Sequence, residues 1–210
     1  MIPDELKQNK LEFLGIIALM DPPRESVPGA IAVCRKAGIR VVVITGDNGV
    51  TAKSIAQKIG ISNCENIITG KELDAMDDVE LQNKLKITNI FARVIPSHKM
   101  RIIKALKDSG EIVAMTGDGV NDAPPLKLAD IGISMGKRGT NVAKEASDMI
   151  LLDDNFATIV DNIKDGRRIY DNIKKAIGYV FVIHIPIALI ALLTPLLDIP
   201  LFLFPIHVVL

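Results

Sequence analysis

Short apolar runs alternate along the chain with stretches whose apolar residues recur at helical spacing. Leu14–Leu19 reads as a buried strand, and Pro28–Lys36 as a helix stopped by Gly38. Arg40–Ile44 is a β-branched strand, followed by a helix near Val50–Ile59 with Gly60 behind it. Asn66–Thr69 is a less marked strand, Asp78–Leu85 a helix and Asn89–Val94 a strand. Ser97–Lys107 reads as a helix with Ser97 as its N-cap candidate and Gly110 after it. Glu111–Met115, Ile131–Met135 and Met149–Leu152 complete the strands. Short apolar runs between helices are strands covered on both faces, which implies a parallel sheet with crossover helices. The fold class this predicts is α/β, doubly wound and mainly parallel, of Rossmann type. No repeat or low-complexity segment interrupts it.

The pattern changes after Asn155. A polar helix pattern, TIVDNIKDGRRIYDNIKKAIGYV, runs without a strong break into a segment, 176–197, that lacks Asp, Glu, Lys and Arg. Its titratable groups are Tyr179 and His184. About 22 residues at about 1.5 Å each give roughly 33 Å, enough to cross a hydrocarbon core. Pro186 and Pro195 are expected to kink or unwind it, which a membrane helix tolerates when neighbours satisfy the freed carbonyls. Lys164, Arg167, Arg168, Lys174 and Lys175 precede the span, so residues 1–175 are expected on the cytoplasmic side. Asp198-Ile199-Pro200 reads as a turn at the far side, and residues 199–210 as the truncated start of a second membrane segment. A chain that stops there reads as a fragment. The expected organisation is an α/β domain over 1–154, a stalk helix over 155–175 and a transmembrane helix over 176–197.

Composition narrows the picture a little. About half of the 210 residues are apolar (49%), and the formal net charge is zero, so nothing global points to nucleic acid or an acidic partner. Cys34 and Cys64 share no metal-ligand spacing and read as a core thiol and a loop thiol in a reducing compartment. The opening MIPDELKQNK carries no apolar core and is not a signal peptide.

The candidate chemistry lies where strands end. Val41–Ile44 leads into Thr45-Gly46-Asp47, and Ile112–Met115 leads into Thr116-Gly117-Asp118-Gly119-Val120-Asn121-Asp122. In a doubly wound sheet the strand C-termini line one crevice, where ligands bind. Thr-Gly-Asp delivers a hydroxyl, a bare backbone and a carboxylate to that edge, and glycine lets amides approach an anion closely. Thr-Gly-Asp alone is common in turns; the longer TGDGVND carries more weight, because Asp118 and Asp122 flank a glycine turn, so that both carboxylates can point into one pocket. Magnesium takes hard oxygen ligands and keeps several waters, so one or two carboxylates plus a phosphate suffice. Lys99 opens a helix, where its charge opposes the helix dipole, so it reads as a phosphoryl-neutralising group, against the alternative of a solvated lysine. His98 reads as a packing or capping residue. Asp21-Pro22-Pro23-Arg24 makes a rigid turn that reads equally as a loop salt bridge or as a ligand group.

Taken together, DPPR, ITGD, FARVIPSHK, MTGDGVNDAP, ASDMILLDDNFATIV and GRRIYDNIKK occur in an order that resembles the P-type ATPases, calcium-pump-like members among them, within the haloacid dehalogenase superfamily. The resemblance covers nearly the whole chain and implies ATP hydrolysis coupled to cation transport through an aspartyl phosphate. It implies that Thr45 and Gly46 bond the phosphoryl group, Asp47, Arg93, Asp21 and Arg24 lie by the nucleotide, and Lys99 neutralises the transferred phosphate. It further implies that Asp118 binds Mg2+, supported by Asp122 and Asn121. Partners would be ATP, a cation, membrane lipid and the remaining nucleotide-binding, actuator and transmembrane parts. Three departures stand out. No Asp-Lys-Thr-Gly segment, and so no nucleophile, occurs in the sequence. The span FVIHIPIALIALL lacks the Asn and Glu usual in the fifth membrane helix of calcium pumps, which leaves the ion open, with His184 reading as a helix-helix bonding group. Pro125 gives Ala-Pro-Pro where Ala-Pro-Ala is usual, a change a first helical turn tolerates. Two alternatives stay open: a truncated, catalytically inactive membrane protein, and a soluble phosphatase, which the membrane segment and missing nucleophile disfavour.

Overall fold

A computed structural model describes residues 12–17 and 22–197. Asp21 and the Asp198–Leu210 segment lie outside the described residues. Strands β1 (Val43–Ile44), β2 (Ile67–Thr69), β3 (Ile90–Ala92), β4 (Ala114–Gly117), β5 (Ile131–Met135) and β6 (Met149–Leu151) alternate with helices. The helices are α1 (Ser26–Lys36), α2 (Gly49–Ile59), α3 (Gly70–Ala75), α4 (Asp78–Leu85), α5 (Pro96–Asp108), α6 (Ala123–Leu128), α7 (Asn141–Ala146) and α8 (Phe156–Leu196). All strand pairs are parallel. They form two three-stranded sheets, β1-β3-β2 and β4-β5-β6. The parallel α/β expectation is therefore met.

Strand β3 shows why the fold is doubly wound. Ile90, Phe91 and Ala92 are all fully buried, and successive side chains leave opposite faces. Phe91 packs with Leu73, Leu81, Leu85, Ile102 and Leu106 from α3, α4 and α5. Ile90 and Ala92 pack with Ile31, Ala52, Ala56 and Ile59 from α1 and α2. One apolar strand thus needs helices on both sides, as its unbroken run of hydrophobes requires.

Several expectations change. Residues 14–17 are irregular and exposed, Leu14 by 93%, with no strand beside them among the described residues; the rest of the expected Leu14–Leu19 strand lies outside the described residues. The Arg40–Ile44 run forms a ladder only at Val43 and Ile44, opposite Ile90 and Phe91 of β3. Ser97 is not the N-cap of α5: the helix starts at Pro96, whose missing N–H suits a first turn, and Ile95 takes the cap position. Cys64 sits in a loop but is buried like Cys34, and burial pushes both thiols up.

Asn155 caps α8 by accepting from the Ala157 amide at 3.1 Å. The helix runs unbroken for 41 residues through Pro186 and Pro195, where the sequence predicts kinking or unwinding. Its foot packs on α1 through Ala30, Cys34 and Val160. Its apolar half is largely exposed: Phe181, Val182 and Leu192 are all more than half exposed, while Thr194 is buried. Length and composition suffice to cross a membrane. The His184 ring nitrogen Nδ1 lies 2.8 Å from the Val180 carbonyl of its own helix.

Candidate functional site

The loop after β1 and the loop after β3 are stitched together by backbone. The Arg93 amide donates to the Asp47 carbonyl (2.8 Å) and the Val94 amide to the Thr45 carbonyl (3.1 Å). Arg93 adopts a left-handed φ of 52°, uncommon for a residue with a side chain, so these bonds hold a conformation the chain would not choose alone. The Asp47 amide bonds the Thr45 hydroxyl at 3.1 Å, turning Thr45-Gly46-Asp47 tightly at the strand end. Asp47 and Arg93 are exposed, as are Gly46 and Asn121.

The second loop follows β4. Gly117 ends the strand, and a short 3-10 turn at Val120–Asp122 leads into α6. Asp122 is only 7% exposed, yet it is fully partnered. Its Oδ1 accepts from Lys99 Nζ at 2.5 Å. Its Oδ2 accepts from the amides of Asp118 (3.3 Å) and Gly119 (3.2 Å). The carboxylate is thus tied to a cation and to the turn it follows, which offsets its desolvation. Asp118 differs: its backbone carbonyl accepts from the Thr140 amide at 2.9 Å, while its exposed side chain has no partner among the described residues.

The structure therefore brings Lys99, Asp118 and Asp122 together and joins Thr45, Gly46, Asp47 and Arg93 in a second group. Asp118 and Asp122 do not stand as two equivalent carboxylates, because Asp122 is already engaged by Lys99. No group of three acidic, His or Cys side chains poised for a metal occurs among the described residues. A free carboxylate at Asp118 beside an anchored one at Asp122 suits an ion that keeps waters and a phosphate as its other ligands. Arg24 lies elsewhere: its guanidinium bonds the Asp154 carbonyl at the foot of α8. The Asp154 carboxylate in turn accepts from the amides of Lys137 and Arg138, both at 2.9 Å, and these bonds hold its carboxyl below the usual range.

Sequence reading missed Thr140, the contact of Gly117 with Asp122, and the bonds Asp154 makes to the Lys137 and Arg138 amides. Thr140 could have been found, since it caps α7 by accepting from the Ala143 amide (3.3 Å), a usual threonine signal. Gly117 and Asp154 act through close approach and loop bonding, which spacing does not reveal.

A family model for haloacid dehalogenase-like hydrolases matches residues 3–130. The chain belongs to that family. Among curated relatives, this haloacid dehalogenase-like chain is 49% identical over 205 residues to the calcium-transporting ATPase of Bacillus subtilis, covering 97% of the chain and 23% of the relative. It is 53% identical over 176 residues to calcium-transporting ATPase 1 of Bacillus cereus, covering 83% of the chain and 20% of the relative. It is 44% identical over 216 residues to the rat sodium/potassium-transporting ATPase subunit alpha-4, covering 90% and 21%. Among solved structures, a zinc-transporting PIB-type ATPase aligns with TM-score 0.55 and 30% identity, over 73% of this chain and 21% of that one. The chain spans about a fifth of the length of the curated relatives it matches.

Proposed function

We propose that the chain supplies the Mg2+-binding and phosphate-binding half of an aspartyl-phosphate site in an ATP-driven cation pump, with residues 1–154 as the larger part of its phosphorylation domain. The Lys99–Asp122 pair carries this reading, because it joins the end of β3 to the end of β4 and fixes a cation beside the free Asp118 carboxylate. Thr45 and Gly46 offer a hydroxyl and an open backbone to the phosphoryl oxygens. Asp47 and Arg93 face the nucleotide, and Asn121 supports the turn that presents Asp118. Lys99 holds positive charge where the transferred phosphoryl oxygens gather, and its pairing with Asp122 keeps the ammonium in place between turnovers. When bound at Asp118, Mg2+ neutralises phosphate charge. The relatives are named for calcium and for sodium and potassium, so cation is the class proposed.

The sheet itself supports the reading. The free edges of β1 and β4, on separate sheets, line one apolar cavity of about 280 Å3, together with Ile103 and Leu106 of α5 and Phe156 and Ile159 of α8. An extended apolar segment seated between those edges and parallel to them would end level with Thr45 and Asp118. That is where an attacking carboxylate has to stand, and the sequence has no Asp-Lys-Thr-Gly segment of its own. Residues 155–175 would then act as the stalk and 176–197 as the membrane span.

The test is Asp118→Ala in the complete pump. Phosphoenzyme formed from labelled ATP should nearly vanish. Formation within about threefold of wild type, below about 1 kcal/mol, would remove Asp118 from the site.

A further inference from the structure

We propose that His98 is the positioning residue for Lys99, an inference that rests on the reading of Lys99 as the phosphoryl-neutralising cation. The His98 side chain is 7% exposed and uses both ring nitrogens. Nδ1 accepts from the Ile95 amide at 3.3 Å, and Nε2 lies 2.8 Å from the Asp74 carboxylate. An accepting Nδ1 leaves the ring proton on Nε2, which donates to Asp74.

Ile95 is the pivot. Its amide is held by the His98 ring, and its carbonyl accepts from the amides of His98 (3.0 Å) and Lys99 (3.3 Å). The Lys99 amide therefore hangs from a residue, Ile95, whose own amide the His98 ring holds. No Ser, Thr, Asp or Asn caps α5; the imidazole, at the third helical position, instead reaches back to the Ile95 amide, as the Glu of a capping box does. The ring is wedged as well: a β-carbon on Gly70 would lie 3.0 Å from His98 Cε1 and would collide with the Arg93 carbonyl oxygen. The start of α3, the Arg93 loop and the first turn of α5 thus close on one imidazole. The Asp74 bond sets the ring, the ring sets Ile95, and Ile95 sets the height at which the Lys99 ammonium meets Asp122.

The experiment measures lysine acetylation by limiting acetic anhydride in the full chain in detergent micelles, read by mass spectrometry. The readout is the reactivity of Lys99 relative to Lys104, an exposed lysine on the same helix. His98→Ala should raise that ratio by about threefold or more, the scale of one lost hydrogen bond. His98→Asn, whose amide oxygen replaces the Nδ1 acceptor, should restore most of the protection; His98→Gln, which reaches only toward Asp74, should restore less. Leu81→Ala, a buried change in the same core, controls for general loosening and should leave the ratio unchanged. The proposal is overturned if His98→Ala leaves the ratio flat, if Leu81→Ala moves it equally, or if His98→Asn does not rescue. Asp122→Asn separates the two readings: it should expose Lys99 by itself, and if it does not, the ion pair fails as the basis of the site rather than His98 as its support.

Discussion

Asp122 rests against the bare α-carbon of Gly117: a β-carbon there would lie 2.6 Å from the Asp122 β-carbon and 2.9 Å from its carboxyl carbon. Gly117 cannot retreat, because it ends β4 in register with Ser134 of β5. The missing side chain of one residue is the seat of the other's carboxylate.

Gly117→Ala should therefore push Asp122 away from Lys99. Overpacking of this kind costs about 1–3 kcal/mol, read by denaturant unfolding of the chain. In the complete pump, phosphoenzyme formation should fall more steeply than stability does. A variant that unfolds like wild type and phosphorylates normally would show that Asp122 does not need this seat.

The 210-residue chain alone should form no acid-stable phosphoenzyme, since its residues stabilise transfer but supply no attacking carboxylate. Labelled ATP with Mg2+, followed by acid precipitation, checks this. Covalent, hydroxylamine-sensitive label on the chain would contradict it.

Acid should weaken the foot of α8. Amide bonds hold the Asp154 carboxyl below its ordinary value of 3.8, and bonds from Thr158 and Asn155 do the same for Asp153. A group with a depressed folded pKa stabilises the fold above its unfolded pKa and loses that contribution as pH falls through the folded one. Asp154→Asn should thus be less stable than wild type near neutral pH, with the gap closing below about pH 4. Urea unfolding across that range decides; a gap that stays constant with pH would assign the bonds no electrostatic weight.

Residues 176–197 should cross the bilayer once. After removal of Cys34 and Cys64, a cysteine at Lys164 should react only with reagent on the cytoplasmic side and one at Asp198 only from the other side. Labelling of both from one side would show that the stretch does not span.

The sequence makes the strand-to-helix rhythm legible because β3 and its neighbours are short apolar runs bounded by glycine and proline. Ile131–Met135 and Asp78–Leu85 fall where their periodicity puts them. Helix α7 and the 3-10 turn at Val120–Asp122 were not legible, since each is only a turn or two long and shows no repeat. The Thr-Gly-Asp loops were legible as chemistry, but the division of labour between Asp118 and Asp122 was not. That division comes from Lys99 reaching Asp122 from a helix 23 positions earlier, a contact that sequence spacing cannot express. The separation into two sheets was equally hidden, because an apolar run looks the same whether or not it has a strand on each side.

The unbroken helix at the end of the described chain has a mechanical consequence. At about 1.5 Å per residue, its 41 residues make a rod of roughly 60 Å. Its base is clamped where Arg24 grips Asp154, and again where the Arg167 guanidinium donates to the Ala37 carbonyl at 2.8 Å. A rod clamped at its base acts as a lever. By simple trigonometry on that length, a tilt of about 5° at the clamp sweeps the far tip by about 5 Å, close to one helical pitch.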